Sequence, residues 1–178
     1  MSHPVVEHAS VILVEGTSDR RALEVLAARC EFDLAAAEIE VVAMGGITNL
    51  RRHLVEVGAD VSVTGLYDAA EGAYVQAVLA STRPARFFAC EADLEDELIR
   101  ALGHERVREV IEAAGDFASY HSLRQQPFHR DRPEADVLRR FMGTTSGRKV
   151  RYAGLLVSAL DPTRVPRPLT SVLADTGG

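Results

Sequence analysis

The sequence predicts an α/β fold: a parallel β-sheet flanked by helices, followed by a helical C-terminal region. Three observations point to it. Apolar strand-like runs alternate with helical patterns through the first hundred residues. The connections between them are short, as crossover units of a parallel sheet require. After Gly103 the strand signals stop, while helical patterns continue to the end.

In order along the chain, residues 11–14 (Val-Ile-Leu-Val) are a continuous apolar run and read as a strand buried on both faces. Residues 19–29 are helical, with Leu23, Leu26 and Ala27 on one face. A second strand spans 39–44 and is followed by Gly45-Gly46 and a helix over 48–57. The third strand, 61–67, ends at Asp68, and 74–79 belongs to a third helix. Residues 86–90 form a fourth strand and 94–102 a helix whose start is dense in acids. Five further helices are expected at 104–114, 118–126, 134–142, 148–160 and 166–174, separated by joints that contain Pro127, Pro133, Gly143, Gly147, Pro162, Pro166 and Pro168. The expected organisation is an α/β core over 1–103 and a helical region over 104–178 packed on it.

Composition narrows the class. The chain has 178 residues, 47% of them hydrophobic, with a mean hydropathy of −0.01, as in a soluble globular protein. No apolar run is long enough to span a bilayer, and Met-Ser-His-Pro at the start does not resemble a secretion signal, so a cytoplasmic protein without a membrane partner is expected. Cys30 and Cys90 stand in apolar sequence without metal-type spacing, and are expected as buried thiols in a reducing compartment. The net charge of −6 argues against nonspecific coating of nucleic acid. Its distribution is uneven: residues 1–100 carry 8 basic and 17 acidic side chains, residues 101–178 carry 12 and 9. An acidic first part with a basic second part suits a metal site in the one and phosphate contacts from the other, although compositional scatter produces such splits too.

The informative residues fall at the carboxyl ends of the expected strands, where parallel sheets bind ligands. Glu15 ends the first strand, Gly16 allows a turn, and Asp19 opens the helix. Two carboxylates so placed are costly unless a divalent cation compensates them; the alternative is a surface turn with Ser18 or Asp19 capping the helix. Gly45-Gly46 with Asn49 permits a close backbone approach to a ligand, or is simply a tight turn; it lacks the dinucleotide-binding spacing. Asp68 ends the third strand, with Glu71 three residues on. Glu91, Asp93, Glu95, Asp96 and Glu97 crowd the next helix start, more acids than the helix dipole needs. The segment 143–149 has no preceding strand and the wrong spacing for a phosphate loop. Lys149 is the only lysine among 20 basic residues, which reflects either a bias toward Arg or a position that needs a compact charge.

Taken in order, Val14-Glu-Gly-Thr-Ser-Asp19, Gly45-Gly46 with Asn49, Gly65-Leu-Tyr-Asp68, Asp93-Leu-Glu95 and the late Lys149 resemble a Toprim domain of the overcoming-lysogenization-defect (OLD) nuclease family, in its small stand-alone form. The resemblance covers essentially the whole chain. It implies a Toprim-like, Rossmann-like sheet and phosphodiester hydrolysis on DNA or RNA with Mg²⁺ or Mn²⁺. By it, Glu15, Asp19, Asp68 and Glu95 would carry the metal and Lys149 would stabilise charge at the scissile phosphate; to these the residues themselves add Asp93 as a metal candidate, Glu15 as a catalytic one, and Arg148, Arg151, Gly45 and Gly46 as phosphate contacts. Two departures matter. Ala70 stands where Toprim proteins carry a second Asp after the third strand, and 178 residues leave no room for the ATPase domain of the larger nucleases, which a separate partner would have to supply. A metal-binding module that has lost turnover and works through a partner protein is therefore the competing expectation, and phosphotransfer to a non-nucleic substrate a third. A topoisomerase-type tyrosine finds no motif around Tyr67, Tyr74, Tyr120 or Tyr152.

Overall fold

A computed structural model describes residues 10–176, apart from the side chain of Ser146. Strands and helices alternate as β1 (Ser10–Val14), α1 (Thr17–Arg29), β2 (Ile39–Ala43), α2 (Leu50–Glu56), β3 (Ser62–Asp68), α3 (Gly72–Ser81), β4 (Arg86–Cys90) and α4 (Leu94–Leu102). Helices α5 (His104–Ala113), α6 (Phe117–Gln125), α7 (Pro127–Arg130), α8 (Glu134–Gly143), α9 (Ser146–Ala159) and α10 (Arg167–Thr176) follow. All strand pairs are parallel, in the order β2-β1-β3-β4. The chain steps from β1 to one side and returns on the other, so a crevice opens above the carboxyl ends of β1 and β3. The register pairs Val14 with Ala43, Leu13 with Gly65 and Asp68 with Cys90, which brings the residues after each strand out along one edge.

Strand periodicity divides the core. Ile12 and Val14 join Leu23, Leu26, Leu98, Tyr152 and Leu156 on one face, and Val11 and Leu13 join Leu50, Leu54, Val75 and Val78 on the other. Each fully buried aliphatic side chain contributes about 1.5–3 kcal/mol. Helix α9 packs along α1, and α10 lies against β1, β3 and β4, so one hydrophobic cluster runs from the sheet into the helical region. Arg29 ties the two together by donating to the Val157 and Leu160 carbonyls at the end of α9, where carbonyls run short of helical donors. Gly65 is required at the centre of the sheet. A Cβ there would lie 2.3 Å from Phe87 Cε1 and 2.5 Å from the Leu13 carbonyl.

Three local features differ from the sequence expectations. The helix expected over 48–57 opens as a 3-10 turn (Ile47–Asn49) before α2. Helix α7 was not expected, because Pro127 reads as a breaker. It stands instead at the first helical position, where its missing N–H costs nothing. Cys30 is exposed rather than buried, since it caps α1 beyond the last helical residue; Cys90 is buried, and both thiols are free.

Candidate functional site

A cavity of about 500 Å³ opens at the carboxyl edge of the sheet, walled by Glu15, Asp19, Asp68, Asp93, Glu95 and Lys149, with the Gly45-Gly46 backbone on one side. Five chain segments build it. Glu15 follows β1 directly. Asp19, in the first turn of α1, accepts a hydrogen bond from the Gly16 N–H at 2.8 Å, so one of its oxygens closes the turn. Asp68 is the last residue of β3. Asp93 caps α4, accepting from the Asp96 N–H at 2.8 Å through one oxygen and from the Arg139 guanidinium of α8 through the other. Glu95, two residues into the helix, is only 7% exposed. Its Oε1 has no hydrogen-bond partner and its Oε2 lies 3.4 Å from the Lys149 amine.

These carboxylates are short of compensation. Burial, then the neighbouring Glu15, Asp93, Asp19 and Glu95, push Asp68 from the ordinary 3.8 up to about 7. Burial followed by Asp19 and Glu71 raises Glu15. Burial also raises Asp19 and Glu95, against the opposing pull of Lys149. Burial alone would depress the Lys149 amine, but Glu95 and Asp19 outweigh it and hold the amine above its usual value. One lysine thus faces an excess of acids.

Other candidates are placed differently. Arg148 and Arg151 do not reach the cavity. Arg148 donates to the Thr144 hydroxyl at 3.1 Å and stacks over Phe141, and Arg151 donates to Asp116 and the Ala114 carbonyl, each at 2.8 Å. A helix turns by about 100° per residue, so with Lys149 on the pocket side Arg148 and Arg151 point to other faces. The Gly45 and Gly46 amides, at positive φ of 74° and 120°, both donate to the Glu15 carbonyl (3.0 and 3.1 Å) and so pin the turn rather than offer free N–H groups. Asn49 braces it by donating to the Met44 carbonyl at 3.0 Å. Glu71 does not line the cavity, and Ala70 is exposed in the 3-10 turn after β3. The surplus acids before and within α4 have another job: Glu91, Asp96 and Glu97 gather on Arg100 at 2.6, 2.8 and 3.0 Å. None of the four tyrosines lines the cavity; Tyr120 and Tyr152 are buried donors to Glu134 and Asp116, and burial first of all raises both phenols.

Sequence reading missed Arg132, Arg139 and Arg140, which wall an adjoining cleft. The only signal was Arg139-Arg140 on a charged helix, which usually marks a solvated face. As for a metal, no three His, Cys, Asp or Glu among the described residues already surround one point. The donor set nonetheless fits a hard divalent cation: it is all oxygen, it includes the orphaned Glu95 Oε1, and its ionised forms are penalised until positive charge arrives.

The parallel sheet, with acids converging at its carboxyl edge, defines an α/β protein with an acidic candidate site. Residues 8–60 match the family described as "Overcoming lysogenization defect protein-like, TOPRIM domain". The fold is similar to that of the C-terminal region of the Burkholderia pseudomallei OLD protein (TM-score 0.65, 18% identity, covering 96% of this chain and 99% of that one). It is also similar to the C-terminal region of the Xanthomonas campestris pv. campestris OLD protein (TM-score 0.69, 21% identity, 96% and 95%). A search of curated proteins gave no significant match. The matched segment resembles an OLD-like TOPRIM domain and the whole chain shares the fold of these OLD C-terminal regions, a likeness that suggests a nucleic-acid-related, metal-binding function. No helix among the described residues is long and apolar enough to cross a membrane.

Proposed function

We propose that this pocket carries out divalent-metal-dependent hydrolysis of phosphodiester bonds in DNA or RNA, as an endonuclease-like site using Mg²⁺ or Mn²⁺. The observation that carries the reading is the meeting of Glu15, Asp19, Asp68, Glu95 and Lys149 in one polar cavity with a deficit of positive charge. Glu15 and Asp68, at the ends of adjacent strands, take no hydrogen bond from a described residue and are the groups best able to hold a cation, with Glu95 and the free oxygen of Asp19. Asp93 positions the rim, since both its oxygens are engaged. When bound, a divalent cation supplies neutralisation of the phosphate and a lowered pKa for the attacking water. Lys149 brings a mobile positive charge to the oxygens that gain negative charge in the transition state.

Plasmid, single-stranded DNA and RNA incubated with Mg²⁺, Mn²⁺ or EDTA test this reading. Cleavage that needs the metal and is lost in Lys149→Ala supports it. Absence of cleavage on every substrate sinks it. The second reading, a metal-binding module acting through a partner protein, is favoured by Ala70, where an acid was expected at the strand end. Metal-induced thermal stabilisation without any cleavage would select it.

A further inference from the structure

We propose that the cleft bordering the acid pocket is a rest for single-stranded nucleic acid, in which an unpaired base stacks on Phe128 while neighbouring phosphates sit on Arg132 and Arg140. The proposal rests on a nucleic-acid substrate for the adjoining site, though not on its hydrolysis.

The cleft, about 560 Å³, shares Asp93, Glu95 and Lys149 with the acid pocket and extends away from it to Arg132, Arg139 and Arg140. Pairing removes most of its charge: Arg139 is held by Asp93, and Lys149 by Glu95. Arg132 and Arg140 remain. Neither makes a hydrogen bond or ion pair through its side chain with a described residue, and both are exposed, with only Asp136 on the same wall to oppose them. Two unpaired guanidiniums beside a phosphodiester site match the charge of a nucleic-acid backbone.

Phe128 stands beside the cleft rather than in its lining, joined to it through Arg132, and makes it selective. Its ring is 67% exposed, and the Arg132 guanidinium lies 4.1 Å from its centroid. A single exposed aromatic is ordinary on any surface. Here the ring is braced by one of the two unpaired arginines of the cleft, the combination of stacking platform and basic groove that single-strand binding uses. A flat ring offers its face only to a base outside a duplex, so the occupant is a single strand. The wall is also rigid: α8 is anchored by buried Val137, Leu138, Phe141 and Met142, and α7 by buried His129.

The chain contains no tryptophan, so Phe128→Trp installs one fluorescent reporter at the stacking position. Titration with oligothymidylate and with duplex of equal length, in EDTA and again in Ca²⁺, reads occupancy without turnover. The expected result is quenching by the single strand and little by the duplex. Arg132→Ala with Arg140→Ala should weaken single-strand binding by about tenfold or more and reduce the log–log salt slope by about 1.4, from roughly 0.7 per phosphate contact. Phe128→Ala should cost about tenfold. Arg164→Ala with Arg167→Ala, at two exposed positions before and within α10 that do not line the cleft, removes the same charge and should stay within about twofold. Unchanged fluorescence at saturation, no binding in either buffer, or an equal loss in the Arg164/Arg167 pair overturns the proposal. Metal-dependent cleavage by a Phe128→Trp protein whose fluorescence stays silent would remove the cleft and leave hydrolysis standing; quenching without cleavage would do the reverse.

Discussion

Carboxylates sit below the surface in two regions of this molecule, and they are treated in opposite ways. In the helical region Glu134 accepts from Arg108 at 2.6 Å, Arg124 at 3.0 Å and the Tyr120 hydroxyl at 3.1 Å, while Asp116 accepts from Arg151 and the Tyr152 hydroxyl, each at 2.8 Å. Burial alone would raise Glu134, but the Arg108 hydrogen bond and charge hold it below the usual carboxylate range. At the sheet edge, Glu15, Asp19, Asp68 and Glu95 share one lysine, and all four are raised. A saturated carboxylate fastens helices. A cluster left short of donors costs stability, and a bound cation is the compensation its chemistry fits.

The largest expected effect would sharpen this contrast. Lys149→Ala should lower metal-dependent phosphodiesterase activity by about 100-fold or more, the scale of losing one transition-state charge contact. Its folding and its metal-induced thermal shift should persist, and Lys149→Arg should recover only part of the rate. Full activity in Lys149→Ala would place catalysis elsewhere.

Glu134→Ala tests the other side. It leaves the buried Tyr120 hydroxyl and two guanidiniums without their acceptor and should cost about 2 kcal/mol. For a chain of this size that lowers Tm by about 4–8 °C. A comparable loss in Asp68→Asn would erase the distinction between the regions. Asp68→Asn is instead expected to leave the metal-free protein as stable or slightly more so, and to abolish most of the rise in Tm that Mg²⁺ or Mn²⁺ produces.

The same residue sets a pH signature. Asp68 titrates at about 7 in the folded protein against 3.8 ordinarily, so between these values the folded state holds a proton that the unfolded chain has released. Metal-free stability should therefore fall as pH rises from about 4 to about 7 and then level off. Asp68→Asn should flatten the fall, and a metal-saturated sample should lose it. A stability that rises over that window in the metal-free protein would mean the pocket acids are compensated after all. The smallest effect is expected for Arg148→Ala, which removes a contact to Thr144 outside the pocket and should change activity by less than about threefold.

Much of this was legible in the chain. The alternation of strands and helices, the parallel sheet and the acids at its carboxyl edge follow from local pattern: an apolar run makes a buried strand, and the residue after it emerges at the edge. The acid-rich start of α4 was legible only as an excess. Its division into a capping Asp93, an inward Glu95 and an Arg100-bound trio depends on side-chain directions around one helix turn, which spacing alone does not resolve.

What the sequence by itself determined, then, is the fold class and the edge where the acids stand, because the succession of strands and helices along the chain and the strand ends are read from short-range periodicity. Only the tertiary structure decided which cation answers them. Lys149 faces the pocket while Arg148 and Arg151 turn away because α9 is rotated to bury Tyr152, Ala153 and Leu156 in the core it shares with α1. Arg139 meets Asp93 because α8 packs beside α4. Those rotations are set by packing between segments far apart in the chain, and no local pattern carries them.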